Sequence, residues 1–339
     1  MKKKASLKDI AQKVGVSTAL VSYVLNNQEE EKRVGKDIAI RIREAAAALH
    51  YTPNRIARSL RTKKTNTIGF VVADINYRYS SGVMKAIEAE CLKHNLTVIY
   101  GSSEENQKKF TELLKVLVDR QVDGLIIVPV EDCSKAIEEL RRQEIPFVLI
   151  DRNLPGVRAN SVSIDNEAAA FLCTRHLMLT RHKRIGFISY KSTLLNLTDR
   201  RSGYLRALQE GGLTSDPQLI KEIANGNRDE EVRAAISQLL ALTPRCDAIF
   251  FATDTLAVSG LRYINALGVE VPEDLGIVSF DESEAFELFQ CPISHGRQPL
   301  GQIARVAMEL LKKGMDGGRG TDEIVLGTTF HIGRSCGEK

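Results

Sequence analysis

Apolar positions follow two rhythms along the chain. Before residue 50 they recur every three to four residues. From Thr67 onward they gather into short runs separated by amphipathic stretches. In the first part, Leu7, Ile10, Ala11 and Val14 fall at i, i+3, i+4 and i+7, which predicts a helix capped by Ser6. Gly15 ends it, and Ser17 is placed to cap a second helix after a short turn. At roughly 100° per residue, Leu20, Val21, Val24 and Leu25 share one arc of that second helix. Thr18, Ala19, Ser22, Tyr23 and Asn26 share the opposite arc. A third helix is expected over Lys36 to Leu49, with Ile38, Ile42, Ala45, Ala46 and Leu49 inward. Helix, short glycine turn, helix is the helix-turn-helix pattern.

In the second part, strands are expected at Ile68–Val72, Val98–Tyr100, Gly124–Val128, Phe147–Ile150, Val162–Ile164, Arg184–Ser189, Ala248–Ala252 and Gly276–Phe280. Strands alternating with helical stretches mean an α/β architecture with parallel sheets. A segment as long as 67–339 suits two such layers better than one. Ligands in these sheets sit at the carboxyl ends of the strands. Those ends carry Asp74, Ser102, Asp151, Asp165, Ser189, Thr253, Asp254 and Asp281, a set of hydroxyls and carboxylates suited to a polyhydroxyl ligand. Several could instead cap the following helix, as expected for Asp165 and Asp254.

Charge sharpens this division. Residues 1–64 hold 15 Lys and Arg against 6 Asp and Glu; the remainder holds 32 against 37. A compact basic piece suggests a polyanion partner, because Lys and Arg on phosphates release counterions. The uncharged arc of the second helix then acquires a role. Short hydrogen-bonding side chains can enter a major groove and meet base edges, where long charged ones would hold the helix away. The alternatives are a solvated basic tail or a three-helix module that binds protein. No run of about 18 apolar residues exists, so no membrane span is expected. The scattered cysteines Cys91, Cys133, Cys173, Cys246, Cys291 and Cys336 show no ligand spacing, so neither a zinc site nor a disulfide framework is expected. A cytoplasmic location follows from these readings, and no cofactor or metal is expected.

The stretches "SLKDIAQKVGVSTALVSYVLNN" and "LHYTPNRIARSLRTKKTNTIGFVV" closely resemble the LacI/GalR family of bacterial transcription regulators. The resemblance runs over nearly the whole chain. It implies an all-α helix-turn-helix headpiece over 1–52, a hinge helix and linker over 53–66, and an effector-binding, dimerising core over 67–339. The core is then two similar parallel-sheet subdomains, periplasmic-binding-protein-like. They would span about 67–180 with 296–320, and about 181–295 with 321–339, crossing near Thr180–His182, Gly296 and Gly317–Gly320.

By the same resemblance Thr18, Ala19 and Tyr23 read bases, while Ser6, Ser17, Ser22, Asn26, Tyr51 and Asn54 hold phosphates, contacts that set register. Ala57 and Leu60 of the hinge would enter the minor groove, where an apolar wedge kinks the duplex. A helix so short, opened by Pro53 with Ile56 and Leu60 on one face, forms only when something holds it. Arg200 in "RRSGY" and Asp281 in "VSFDE" would contact the effector, with Tyr79, Ser80, Thr253, Leu300 and Ile303 in the same cleft. The partners implied are palindromic operator DNA, a small-molecule effector and a second copy of the chain.

The chain departs from the family at several points. Tyr23 stands where Arg is frequent, and one hydroxyl replaces a bidentate grip on guanine. The loop Gln28–Arg33 is longer than usual, with Glu29, Glu30 and Glu31 expected to form a solvated turn, and Gly35 replaces a capping Ser. Arg181 replaces a Gly, and "INYRYSS" differs from the usual Asn-Pro-aromatic pair. The effector is therefore read from chemistry: a sugar or sugar phosphate first, a purine second. Arg200, Arg201 and Arg228 are the cations evident for a phosphate. Val83, Ile87, Phe110, Leu113, Leu114 and Leu117 are candidates for a dimer face or for core. No leucine heptad follows "HIGRSC", so no tetramerising coil is expected.

An enzyme reading lacks its motifs: no GxGxxG follows a strand, and neither GxxxxGK[ST] nor GxSxG occurs. A stand-alone sugar-binding protein would share the core but carry no helix-turn-helix.

Overall fold

The computed structural model describes residues 5–51, 64–224, 226–318 and 320–337. The hinge residues Pro53, Asn54, Ile56, Ala57 and Leu60 lie outside them. The chain divides into two units, Met1–Thr65 and Asn66–Lys339.

In the first unit, α1 spans Leu7–Val14. Ser6 Oγ accepts from the Asp9 amide at 3.3 Å while the Asp9 carboxylate accepts from the Ser6 amide at 2.8 Å, a reciprocal cap that fixes the helix start. Gly15 follows at φ +79°, a left-handed turn that a β-carbon would strain. The second helix, α2, spans Thr18–Leu25 and is capped by Ser17, whose Oγ accepts from the Leu20 amide at 3.2 Å. α3 covers Lys36–Ala48 and starts at Gly35 with no side-chain cap. The three helices bury Ile10, Val14, Val21, Val24, Ala39, Ile42, Ala45 and Ala46 against one another. Each large aliphatic side chain there contributes about 1.5–3 kcal/mol. That small core holds the outer arc of α2 clear of the packing.

The second unit contains two six-stranded sheets of the same design. The first takes β1 (Thr67–Val72), β2 (Thr97–Ser102), β3 (Gly124–Ile127), β4 (Phe147–Ile150), β5 (Asn160–Ile164) and β11 (Glu323–Leu326), in the order β11-β5-β4-β3-β1-β2. The second takes β6 (Ile185–Tyr190), β7 (Ile220–Ile223), β8 (Ala248–Phe251), β9 (Gly276–Phe280), β10 (Ser294–Arg297) and β12 (Thr329–His331), in the order β12-β10-β9-β8-β6-β7. Pairing is parallel except for β12 against β10. Between the strands run α4 (Arg78–Lys93), α5 (Gln107–Asp119), α6 (Ser134–Arg142), α7 (Asn166–Leu179), α8 (Leu195–Glu210), α9 (Arg228–Leu240), α10 (Asp254–Ala266) and α11 (Leu300–Met315).

The expected strands all form, with small differences at their ends. β7, β10, β11 and β12 were not anticipated. The β10 sequence, Ser-His-Gly-Arg, has no apolar run at all; it is a strand because β9 and β12 pair with its backbone.

The crossings also differ from expectation. α7 packs on α8, β9 and β10, so the chain has changed sheets at Asp165, well before Thr180. It returns between β10 and α11, at Gln298–Pro299 and close to Gly296. The last crossing is Gly327–Thr328, between β11 and β12, rather than Gly317–Gly320. Strand pairing decides these points: β11 pairs with β5 over Glu323–Leu326 and completes the first sheet.

Val83, Ile87, Phe110, Leu114 and Leu117 are buried at 3% exposure or less within one copy, so they are core; Leu113 is partly buried against it. One glycine has a positional role. A β-carbon on Gly203 would lie 2.1 Å from the Glu167 carbonyl oxygen, so only glycine lets α8 lie this close to α7. Arg200 lies one turn earlier on α8, and that approach sets where its guanidinium sits.

Candidate functional site

On the headpiece, Thr18 and Ala19 are exposed, while Ser22, Tyr23 and Asn26 are half-buried. Two polar groups of this face meet within the helix. Asn26 Nδ2 donates to the Ser22 carbonyl at 2.7 Å and lies 3.3 Å from Ser22 Oγ. Ser6 and Ser17 serve as caps, and Tyr51 is half-buried against the three-helix core. The loop after α2 corrects one expectation. Glu30 and Glu31 are exposed, but Glu29 is partly buried and pairs with Arg43 of α3, which lowers its pKa. Lys32, paired with Glu31 at 2.7 Å, holds its ammonium 5.9 Å from the Tyr23 ring centroid.

In the core, the carboxyl ends of both sheets border a narrow cleft that encloses about 90 Å³. The first half contributes Tyr77 and Tyr79 after β1, Glu105 after β2, Glu131 after β3, and Asp151 and Arg152 after β4. The second half contributes Tyr190 after β6, Asn196 and Arg200 on α8, Thr253 and Asp254 after β8, Asp281 after β9 and Gln298 after β10. Asp151 and Asp281 occupy equivalent places, each following the fourth strand of its half. Both adopt left-handed backbone, at φ +69° and +66°. Few residues other than glycine tolerate this region, and Asp is one of them.

Arg152 is 7% exposed and held from within its own half. Its Nη1 and Nη2 donate to the Glu105 carboxylate at 2.8 and 2.7 Å, and Nη1 also donates to the Pro129 carbonyl at 2.9 Å. Burial opposes its charge, but Glu105 outweighs that and raises its pKa. Arg200 is 2% exposed. Its Nε donates to Asn166 Oδ1 at 2.9 Å, its Nη1 to the Ala252 carbonyl at 2.8 Å, and its guanidinium lies 3.7 Å from the Phe280 ring centroid. Burial lowers its pKa, with Asp281 and Asp151 acting in the opposite sense.

The carboxylates of the second half are held near neutrality. Burial lifts Asp281 to about 6, although Arg200 and a 2.7 Å hydrogen bond from Gln298 Nε2 favour its charge. Burial, with repulsion from Asp281, lifts Asp254 to about 7. Asp151 is raised by burial as well. Three polar side-chain atoms in this region are buried without a hydrogen-bond partner among the described residues: the Tyr79 hydroxyl, Gln298 Oε1 and Arg152 Nε, the last 3.4 Å from Asp151 Oδ2. Groups left so have the chemistry of a site that a ligand completes.

At the mouth, Glu131 joins the halves. Its Oε1 accepts from Ser192 Oγ at 2.8 Å, the Thr193 amide at 2.7 Å and Thr193 Oγ1 at 3.0 Å, and these bonds, the Thr193 amide first, lower its pKa. A second bridge runs from Arg78 to Glu284 at 2.7 Å.

Tyr79, Arg200, Thr253 and Asp281 line one cleft. Ser80 does not: it is 2% exposed and faces away on α4. Ile303 belongs to the core at 1% exposure, and Leu300 lines a smaller neighbouring pocket beneath Tyr79 and Gln298. Asp165 caps α7 by accepting from the Ala168 amide at 2.8 Å. Asp254 is no cap; Thr253 takes that role, accepting from the Leu256 amide at 3.3 Å and freeing Asp254 for the cleft. Arg201 turns outward to Glu222 at 2.9 Å. Glu105, Glu131, Arg152, Asn196 and Gln298 went unread. Of these only Arg152, next to a strand-end Asp, carried a local signal. No group of His, Cys, Asp and Glu that could hold a metal ion occurs among the described residues. Among the same residues no helix is long and apolar enough to cross a membrane.

Known proteins share this organisation. Residues 6–54 match the model of bacterial regulatory proteins of the lacI family, and residues 174–336 match a periplasmic binding protein-like domain. Catabolite control protein A of Priestia megaterium is 32% identical over 311 residues, covering 91% of this chain and 92% of its own. The HTH-type transcriptional repressor PurR of Vibrio atlanticus (strain LGP32) is 30% identical over 312 residues, 91% of each chain. Among solved structures, a complex of the transcriptional regulator CelR with cellobiose superposes with a TM-score of 0.73 at 25% identity, over 98% of this chain and 99% of that one. The lac repressor dimer bound to operator and the anti-inducer ONPF gives a TM-score of 0.85 at 19% identity, over 98% and 99%, a likeness of fold.

Proposed function

The chain belongs to the lacI family of bacterial regulatory proteins, DNA-binding transcriptional regulators, and from that premise we propose that its effector is an unphosphorylated polyhydroxyl compound, a neutral sugar. The observation that carries this is the charge of the cleft. Glu105, Glu131, Asp151, Asp254 and Asp281 face it with only Arg152 and Arg200 in opposition, and Arg152 is already held by Glu105. A phosphate entering here would meet a surplus of like charge and one accessible guanidinium. Hydroxyl groups instead donate to the carboxylates and accept from Arg200 and Tyr79. The cellobiose complex of a relative supports the same class. A purine is the second reading, favoured by the rings of Tyr77 and Tyr190 in the cleft wall and by the relatives named as PurR.

On this reading the chain acts as a homodimeric repressor in the bacterial cytoplasm. Two headpieces place α2 in successive major grooves of a palindromic operator. Thr18, Ala19 and Tyr23 read bases. Ser6, Ser17, Ser22, Asn26, Tyr51 and Asn54 position the headpiece on phosphates. Ala57 and Leu60 engage the minor groove between them. Ligand in the cleft changes how the halves close and so biases the DNA-bound arrangement.

Thermal-shift screening of the full chain against neutral sugars, sugar phosphates and purines tests the proposal, followed by gel shifts with a selected operator. Stabilisation by a neutral sugar that also changes operator affinity is expected. Stabilisation confined to sugar phosphates or nucleobases refutes it.

A further inference from the structure

The cleft has a second compartment. Past Tyr77, Glu105 and Tyr190 the space opens into a cavity of about 420 Å³ walled by Asp74, Glu104, Asn227, Arg228 and Asp229. Tyr77, Glu105 and Tyr190 line both compartments and so frame the passage between them. The two tyrosines come from different halves, one after β1 and one at the end of β6. Tyr190 is anchored, its hydroxyl 3.1 Å from Thr255 Oγ1. Glu105 is anchored by both guanidinium arms of Arg152. The passage thus carries two aromatic rings and one fixed carboxylate.

That combination suits a sugar ring in transit from one compartment to the other. Aromatic faces take the C–H side of a pyranose, and a fixed carboxylate accepts from its hydroxyls. The inner compartment already holds a full set of groups for one ring: Arg200, Asp254, Asp281, Gln298 and the unpartnered Tyr79 hydroxyl. A ligand of one ring bound there leaves the outer compartment to water. Yet that compartment has its own polar lining, with Arg228 half-exposed at its edge and 3.4 Å from Asp229. Sites of this kind bury most of the surface of the ligand they are shaped for.

We infer that the effector has two rings, a disaccharide-class glycoside. One ring sits among Arg200, Asp254 and Asp281; the glycosidic link passes between Tyr77 and Tyr190; the second ring lies beside Arg228 and Asp229. This rests on the neutral-sugar reading and narrows it.

Isothermal titration of the full-length chain tests it with glucose against cellobiose and maltose, and with galactose against lactose and melibiose. At least one disaccharide is expected to bind about tenfold or more tightly than either of its component sugars. Tyr77→Ala and, separately, Arg228→Ala should bring that ratio down toward one. Arg228 lies at the rim, so its replacement keeps the test valid even where the Tyr77 variant folds poorly. A monosaccharide that binds as tightly as the disaccharides containing it overturns the inference. So does a disaccharide preference that survives both substitutions. Binding by glucose 6-phosphate or hypoxanthine with no binding by any neutral sugar marks a different failure, that of the neutral-sugar reading itself.

Discussion

On α2 the outward groups are uncharged, and the bonds recorded among them are local, Asn26 to Ser22, with the cap Ser17 accepting from the Leu20 amide. In the cleft the groups are charged and tied over long stretches of sequence, Arg152 to Glu105, Arg200 to Asn166 and Ala252, and Glu131 to Thr193, and both arginines are buried. The first surface carries no charge of its own, and Thr18 and Ala19 on it are open to solvent. The second keeps its own charges out of water before any ligand arrives, so its groups have shifted pKa values and unpartnered atoms. A change on α2 should therefore alter which partner is preferred while sparing stability. A change in the cleft should alter stability, pH response and affinity together.

Arg200→Met is the harshest way to break this contrast. It removes the hydrogen bonds to Asn166 Oδ1 and the Ala252 carbonyl and leaves both acceptors buried, at about 1–3 kcal/mol for each unsatisfied group. Urea unfolding of the core should show that loss, and titration should show effector affinity falling by roughly a hundredfold, equivalent to about 2.7 kcal/mol. The Asp254→Asn change comes next. Asp254 and Asp281 titrate near 7 and 6 in the folded protein against an ordinary value of 3.8. A raised carboxylate pKa gives stability that is full below the ordinary value and is lost as pH rises through the folded one. The unliganded protein should therefore lose stability from about pH 4 to pH 7, and the Asn variant should lose less. Hydroxyl donors favour the ionised carboxylates, so effector binding should release protons and tighten as pH rises across the same window. Calorimetry in buffers of different ionisation heat measures that release.

Tyr23→Arg sharpens the contrast from the other side. It should shift base preference at one symmetric pair of operator positions by about 1–3 kcal/mol while leaving the thermal midpoint unchanged. Selection from randomised operators reads the preference, and an unchanged consensus removes Tyr23 from the base-reading set. Glu131→Ala should have the smallest effect. It removes three accepted hydrogen bonds across the mouth, so small-angle scattering should show a more open unliganded core and effector affinity should drop about threefold.

What could be read in the sequence follows the same division. The headpiece is a local object: caps, a glycine turn and an apolar arc lie within a few residues of one another, and each has a compositional mark. The central strands of both sheets were equally plain, because burial on two faces gives them continuous apolar runs such as Phe-Val-Leu-Ile of β4. Edge strands are set by pairing with distant backbone, so "SHGR" and "TFH" carried no mark. In the cleft, Asp281 and Arg200 sat in recognisable motifs. Glu105, Glu131 and Gln298 did not, since their roles arise from loops that meet only in the folded chain. Ile303 shares the face of Leu300 one turn earlier but lies deeper, at 1% exposure in the core, a depth that helical spacing does not reveal. Asp254 was taken for a cap because the true cap, Thr253, stands immediately before it.

The three crossings of the core have a mechanical consequence. All three leave from or arrive at the same border of each sheet, the side of β5 and β11 in one half and of β10 and β12 in the other. Three connections side by side act as the pin of a door. The far border, β2, lies four strand spacings from β5, a lever arm of about 19 Å. Each degree of closure thus carries the β2 end through about 0.3 Å, and the β4 end through only about 0.1 Å, on the same spacing. Tyr77, Glu104 and Glu105 ride the swinging border with Tyr190 and Arg228 opposite, whereas Asp151, Asp281 and Gln298 stay close to the pin. Closure about that border would shift the groups around Asp151 and Asp281 least and those around Tyr77, Glu105 and Tyr190 most. The outer compartment thus measures how far the door has shut.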